Sequence, residues 1–133
     1  MSLLSTLPAS EQAKKLPLCP NSPNCVSSQA SDSGHYIAPF KIKGQPEQTW
    51  DAFKRVLAEQ SRTVITEATG DSLHAEVTSL VFRFVDDIHA QLDADARLIH
   101  IRSASRVGYS DLGVNRRRIE ALREQLRQAD RVE

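Results

Sequence analysis

The sequence predicts an α+β domain in two layers: a five-stranded antiparallel sheet with two helices on one face. Three observations lead there. Apolar residues alternate with period two in several short segments and recur every three to four residues in two others. Those segments follow in the order strand, helix, four strands, helix, with no internal repeat and no low-complexity stretch. The chain has 133 residues, 40% of them hydrophobic and 26% charged, which suits one core of ordinary size. Residues 1–18 are expected to form a flexible N-terminal arm, and residues 19–133 a single α+β domain.

Leu3, Leu4 and Leu7 are interrupted by Ser5, Thr6, Pro8, Ser10 and Glu11, so the arm does not match a signal peptide. Cys19 and Cys25 enclose five residues, two of them proline, which excludes a helix here. A disulfide or redox pair fits this spacing, and so do two thiols packed in a loop. Two cysteines without a close histidine are a poor start for a zinc site, and no metal is expected. A Ser-rich connector follows. Residues 35–42 alternate, with Tyr36, Ala38, Phe40 and Ile42 on one side, and Pro39 puts that strand at an edge.

Pro46 suits the first position of a helix and Glu47 its positive end. Trp50, Phe53 and Leu57 then mark the core face of an amphipathic helix of roughly 14 residues. Residues 63–69 predict a strand ending at Gly70-Asp71. Leu73, Ala75 and Val77 predict the next. Phe82, Phe84, Ile88, Ala90 and Leu92 share one parity and predict a long strand over residues 80–92. A turn at residues 93–96 leads to a strand over residues 98–105. After a loop at residues 109–113, where Gly108 and Gly113 permit tight turns, Ile119, Leu122 and Leu126 define the last helix. This β-α-β4-α order resembles the TATA-binding-protein-like and helix-grip-like arrangements, a likeness of fold that carries no function.

A turn centred on Ala94 and Asp95 sets Ile88 opposite Ile101 and Ala90 opposite Ile99, keeping apolar residues on one face. The same register sets Asp86 opposite Ser103, Asp87 opposite Arg102 and Arg83 opposite Arg106. Asp86 then points toward the apolar face, where a carboxylate needs a partner and Ser103 and Ser105 can donate to it. Asp87, His89, His100, Arg102 and Arg106 share the other face with His74 and Glu76. Solvated cross-strand ion pairs account for such a face, and a site for a small polar or anionic ligand is the sharper alternative.

Lys plus Arg is 17 and Asp plus Glu is 17, a net charge of zero that excludes a generic nucleic-acid binder. No apolar run approaches the roughly 18 residues of a membrane span. The zero conceals a segregation. Residues 102–118 hold five arginines and one aspartate, beside an acidic stretch with Asp86, Asp87, Asp93 and Asp95. Arginine offers a planar fork for carboxylate or phosphate, and a helix starting near Asp111 or Asn115 adds N–H donors. Internal pairing with Asp86, Asp87 and Asp111 is the equally simple reading. Arg116 and Arg118 flank the apolar stripe of the last helix and Arg117 points outward. Asn115 is expected to cap that helix or to make a buried structural bond.

The segments C-P-N-S-P-N-C-V-S-S-Q-A from Cys19, F-V-D-D from Phe84 and R-S-A-S-R-V-G-Y-S-D-L-G-V-N-R-R-R-I-E from Arg102 resemble the domain-of-unknown-function family numbered 1499. The resemblance covers about residues 18–126. It implies an uncharacterised bacterial or plastid protein of no established activity. It marks Cys19, Cys25, Asp86, Asp87, Arg102, Ser103, Ser105, Arg106, Tyr109, Asp111, Asn115 and Arg116 without giving them roles. Members often carry an N-terminal lipoprotein or membrane segment. This chain shows none, so the cytoplasm is the expectation as it stands, and the periplasm or a membrane anchor if a native segment precedes it.

The functional expectation is a non-catalytic binding module for a small anionic molecule or a protein partner. Arg102, Arg106 and Arg116 would hold the anion, Asp86, Asp87 and Asp111 would orient them, and Tyr109 would shape the rim. An enzyme is the alternative, with Ser103 or Ser105 as nucleophile, Asp86 as acid–base group, or Cys19 and Cys25 as a redox pair. No G-x-S-x-G elbow, metal-spaced histidines or Gly-rich phosphate loop supports it, and no cofactor is expected. Apolar-ligand or lipid binding between sheet and helices is a third possibility.

Overall fold

The computed structural model describes residues 15–133. Residues 1–14 of the expected arm lie outside them. The elements are β1 (Cys25–Ser27), β2 (Phe40–Lys41), α1 (Pro46–Ala58), β3 (Thr63–Ala68), β4 (Ser72–Thr78), β5 (Val85–Asp93), β6 (Leu98–Ser105) and α2 (Val114–Gln128). All strand pairs are antiparallel. β6, β5, β4 and β3 follow in order, and β1 and β2 lie end to end along the outer edge of β6. The α+β class with two helices on one face of the sheet stands.

α1 begins with Pro46 at its first turn and Glu47 near its positive end, and α2 ends with Arg127 near its negative end. Their stripes meet on one face of the sheet. Trp50, Phe53 and Leu57 of α1 and Ile119, Leu122 and Leu126 of α2 share one core with Ile88, Ile99 and Ile101. Phe53 and Leu57 are fully buried, each worth about 2–3 kcal/mol of hydrophobic stabilisation. Trp50 is a core residue stacked on Phe53 at 5.7 Å, as the stripe predicts.

Four expectations need correction. The strand expected over residues 35–42 is reduced to Phe40–Lys41. Ile37 is buried in place of Tyr36, which is 44% exposed. Arginines of α2 take the carbonyls that a strand would have used. Arg116 donates to the carbonyls of Gly34 and Tyr36, and Arg123 to those of Ala38 and Pro39. Second, the cysteine loop is not wholly irregular, because Cys25–Ser27 pairs with residues 102–104 of β6. Third, β5 starts at Val85, and residues 80–84 form an exposed loop although Phe82 and Phe84 continue its parity.

The β5–β6 register is the fourth. Asp86 pairs with Ser105, Ile88 with Ser103, His89 with Arg102 and Ala90 with Ile101, two residues from the expected alignment. The connection spans four residues, 94–97, and Arg97 closes it with a left-handed φ of 60°. A slip of two preserves which face each side chain occupies, so the face assignments survive the change of partners.

Candidate functional site

Asp86, Ser103, Ser105, Asp111 and Asn115 come together on the helix-covered face. Gly113, at φ 81°, turns the chain into α2, and Asp111 caps it by accepting from the backbone N–H groups of Gly113 (2.8 Å) and Asn115 (3.0 Å). Asn115 is therefore inside the helix and not its cap. It is fully buried, and its carboxamide is saturated. The Nδ2 group donates to Asp111 Oδ2 (2.7 Å), to Ser105 Oγ (3.0 Å) and to the Asn24 carbonyl (3.3 Å). The Oδ1 atom accepts from Ser103 Oγ (2.6 Å) and Arg118 Nη1 (2.8 Å). Arg118 also donates to Asp86 Oδ2 at 2.7 Å. Asp86 thus finds its partner in Arg118, while both serines serve Asn115. Burial raises the Asp111 carboxyl, but the bonds it accepts from the Asn115 and Gly113 N–H groups and from Asn115 Nδ2 outweigh it and hold Asp111 below the usual carboxylate range. Every strong group here is committed, as a structural brace requires.

The opposite face carries Asp87, Arg102 and Arg106. Strand pairing sets His74, His89 and Arg102 side by side in one row across β4, β5 and β6. Glu76 and Asp87 form the next row. The rings of His74 and His89 stack at 4.5 Å. Arg106 makes a bidentate pair with Asp87 (2.7 and 2.8 Å) and reaches Glu76 at 2.8 Å. His74 Nε2 donates to Asp87 Oδ1 at 2.6 Å. Arg106, helped by His74, lowers the Asp87 carboxyl to about 2. Donor atoms of His74, Glu76 and Asp87 lie within 4.8 Å of one another, a spacing that suits a cation. The guanidinium of Arg106 already supplies that positive charge. Thr66 Oγ1 sits 2.9 Å from His74 Nδ1 and 3.2 Å from the His74 carbonyl, bridging a bulge in β3.

Residues 15–18 run over this face as a strap. Cys19 is joined to Cys25 of β1 by a disulfide. Just before it, the Leu18 carbonyl accepts from Arg102 Nη2 at 3.1 Å, and the Leu16 N–H donates to Gln29 Oε1 at 2.8 Å. Beneath the strap lies a cavity of about 290 Å³, lined by Lys15, Leu16 and Pro17 above and by Glu67, His74, His89 and Gln91 of the sheet.

Among the described residues, three buried side-chain atoms lack a hydrogen-bond partner: Trp50 Nε1, His89 Nδ1 and Arg102 Nε. Trp50 stands alone in the helix layer. His89 lines the cavity floor, and Arg102 is its cross-strand neighbour. Burial, reinforced by His74 and Arg102, pushes the His89 imidazole down from its usual range. Burial also lowers Arg102.

The structure therefore separates the expected anion cluster. Arg102 and Arg106 share a face, with Arg106 consumed by Asp87 and Glu76. Arg116 is bound to the carbonyls of residues 34 and 36. Tyr109 is 70% exposed on the loop before α2. Arg118, His74 and His89 belong among the key residues although the motifs did not single them out. For the histidines the signal was strand parity, and for Arg118 its position beside the helix stripe. A further opening of about 250 Å³ lies between sheet and helices, with Gln60, Ser61, Arg62, Thr63 and Arg118 giving it a polar mouth.

Fold and site together define a small two-layer α+β domain with a disulfide-anchored strap across the back of its sheet. The chain belongs to the family described as protein of unknown function (DUF1499), whose pattern matches residues 15–126. Nothing among curated proteins or solved structures matches it significantly.

Proposed function

We propose that this domain is a non-catalytic binding module whose small anionic ligand sits under the strap, against Arg102 and His89. The observation that carries the reading is a pair of buried nitrogens without partners on neighbouring residues, His89 at the cavity floor and Arg102 beside it on β6. Buried polar groups are nearly always satisfied, and a site that must bind is where exceptions persist. Arg102 contributes a permanent charge and an N–H, and the neutral imidazole of His89 one N–H more. A carboxylate or phosphate oxygen answers both. The cavity is close to the lower bound of small-molecule pockets, so the ligand is small. It displaces the Leu18 carbonyl from Arg102 on entering. The commitment of Ser103 and Ser105 to Asn115 favours binding over nucleophilic chemistry.

Native mass spectrometry of the freshly purified chain tests this, together with thermal shifts against a panel of small carboxylates and phosphomonoesters. We expect a bound small acid or a stabilising member of the panel, and Arg102→Ala should lose it while its circular dichroism is unchanged. An Arg102→Ala variant that keeps the ligand or fails to fold overturns the proposal. So does a wild-type chain that carries no adduct and responds to no member of the panel.

A further inference from the structure

Two loops leave the same end of the sheet, residues 79–84 between β4 and β5 and residues 106–113 between β6 and α2. The Arg106 N–H donates to the Val85 carbonyl at 3.1 Å, which ties their bases together. Large apolar side chains crowd their tips. Leu80, Val81, Phe82 and Phe84 are 53–75% exposed on the first loop, and Tyr109 and Leu112 are 70% and 83% exposed on the second. Isolated exposed apolar residues are ordinary, but six on two loops tied together at their bases mark a contact surface.

The first loop is closed tightly on itself. Ser79 N–H donates to the Phe84 carbonyl and Phe84 N–H to Ser79 Oγ, both at 2.8 Å. The rings of Phe82 and Phe84 stack at 5.6 Å while remaining in solvent. Arg83 and Leu112 hold left-handed φ angles of 60° and 55°, a conformation unfavourable for side chains of their kind. Strain of this sort at exposed tips points to a function for their outward side chains.

Charge identifies the occupant. Residues 79–84 contain no acid, and Arg83 has no carboxylate partner among the described residues. In the second loop the acid is Asp111, turned inward to cap α2. Arg117 folds back onto the loop, donating to the Leu112 carbonyl at 2.8 Å and likewise meeting no carboxylate. The surface is thus a pair of apolar tips flanked by unneutralised arginines. Tips that protrude suit a plane, and this combination matches the interface of a bilayer containing anionic lipid.

We infer that residues 79–84 and 106–113 together dock the domain on an anionic membrane surface, with Phe82, Phe84, Tyr109 and Leu112 entering the interface and Arg83 and Arg117 meeting headgroup phosphates. The test is co-sedimentation of the full chain with phosphatidylcholine vesicles, with and without about a third phosphatidylglycerol. Binding should require the anionic lipid and weaken with salt. Phe82→Ser should lower the partition coefficient about tenfold. Leu112→Asn and Arg83→Asn should also weaken binding while melting no lower than wild type, since asparagine tolerates the left-handed conformation. That separation of binding from stability distinguishes a docking role from a structural one. Failure to bind anionic vesicles at low salt overturns the inference, as does equal binding to neutral ones. A concentration-dependent dimer abolished by Phe82→Ser assigns the surface to a second copy and overturns it as well.

Discussion

On the helix-covered face, the carboxamide of Asn115 has five hydrogen-bonding partners within 3.4 Å, three of them sharing the two Nδ2 hydrogens, and Arg118 joins it to Asp86. On the strap-covered face, His89 and Arg102 are partly buried residues, and each leaves one buried nitrogen unanswered. β5 supplies an acid to each side, Asp86 to the helices and Asp87 to the strap, while on β6 Ser103 and Ser105 face the helices and Arg102 the strap. The covering layer differs too. A helix brings side chains at fixed spacing that can saturate a buried group. A four-residue strap brings mainly backbone, and its Leu18 carbonyl satisfies one nitrogen of Arg102. The first arrangement holds the fold in place, and the second keeps hydrogen-bonding capacity in reserve.

Arg118→Met should break the braced face most severely. It leaves the Asp86 carboxylate, 14% exposed, without its cation, at a cost of about 3–5 kcal/mol. Urea unfolding measures it, and a loss below about 1 kcal/mol would show that the network is dispensable. A pH series sharpens the comparison next. His89 lies below its normal range when folded, so its contribution is complete above about pH 6.5 and falls as the unfolded chain takes up the proton first. His89→Gln should flatten the decline in stability between about pH 7 and 5, and an unchanged slope counts against a buried neutral imidazole. His100, also lowered by burial, supplies the residual slope, whereas His35 is raised, chiefly through its bond to the Ser22 carbonyl, and opposes it. Asp87, held at about 2, contributes fully above about pH 4 and loses its contribution only as pH falls toward 2, outside that window. The smallest effect belongs to Arg102→Met. Replacing a partly buried, half-satisfied cation by an apolar chain of similar length should change stability by less than about 1 kcal/mol in either direction. A loss as large as that of Arg118→Met would erase the distinction between the faces.

Much of the fold was legible because it rests on local periodicity. β3, β4, β6 and both helices follow their apolar patterns closely. β1 escaped because three residues in a Ser-rich stretch carry no period, and its pairing with β6 is long-range. The start of β5 was extended too far because parity alone does not say whether Phe82 and Phe84 meet a core or solvent. The hairpin register slipped by two because Arg97 adopts a left-handed turn conformation that glycine or asparagine ordinarily signals. The division of polar residues between faces was readable from alternation and survived that slip. The strap was not readable, since its position depends on a disulfide and on contacts to residues 29 and 102. Nor was the dispersal of the arginines, which is decided by which carbonyls and carboxylates lie within reach.

The disulfide gives the strap a further property. Leu18 is one residue from the covalent anchor at Cys19 and Leu16 three, so Leu16 can travel no farther than about 11 Å from that point. Confined to so small a volume, the strap faces Arg102 at an effective concentration in the millimolar range or above. On the reading proposed above, the domain thereby carries its own competitor: an anion must displace an ever-present backbone carbonyl to reach Arg102, which would favour ligands that satisfy Arg102 and His89 together.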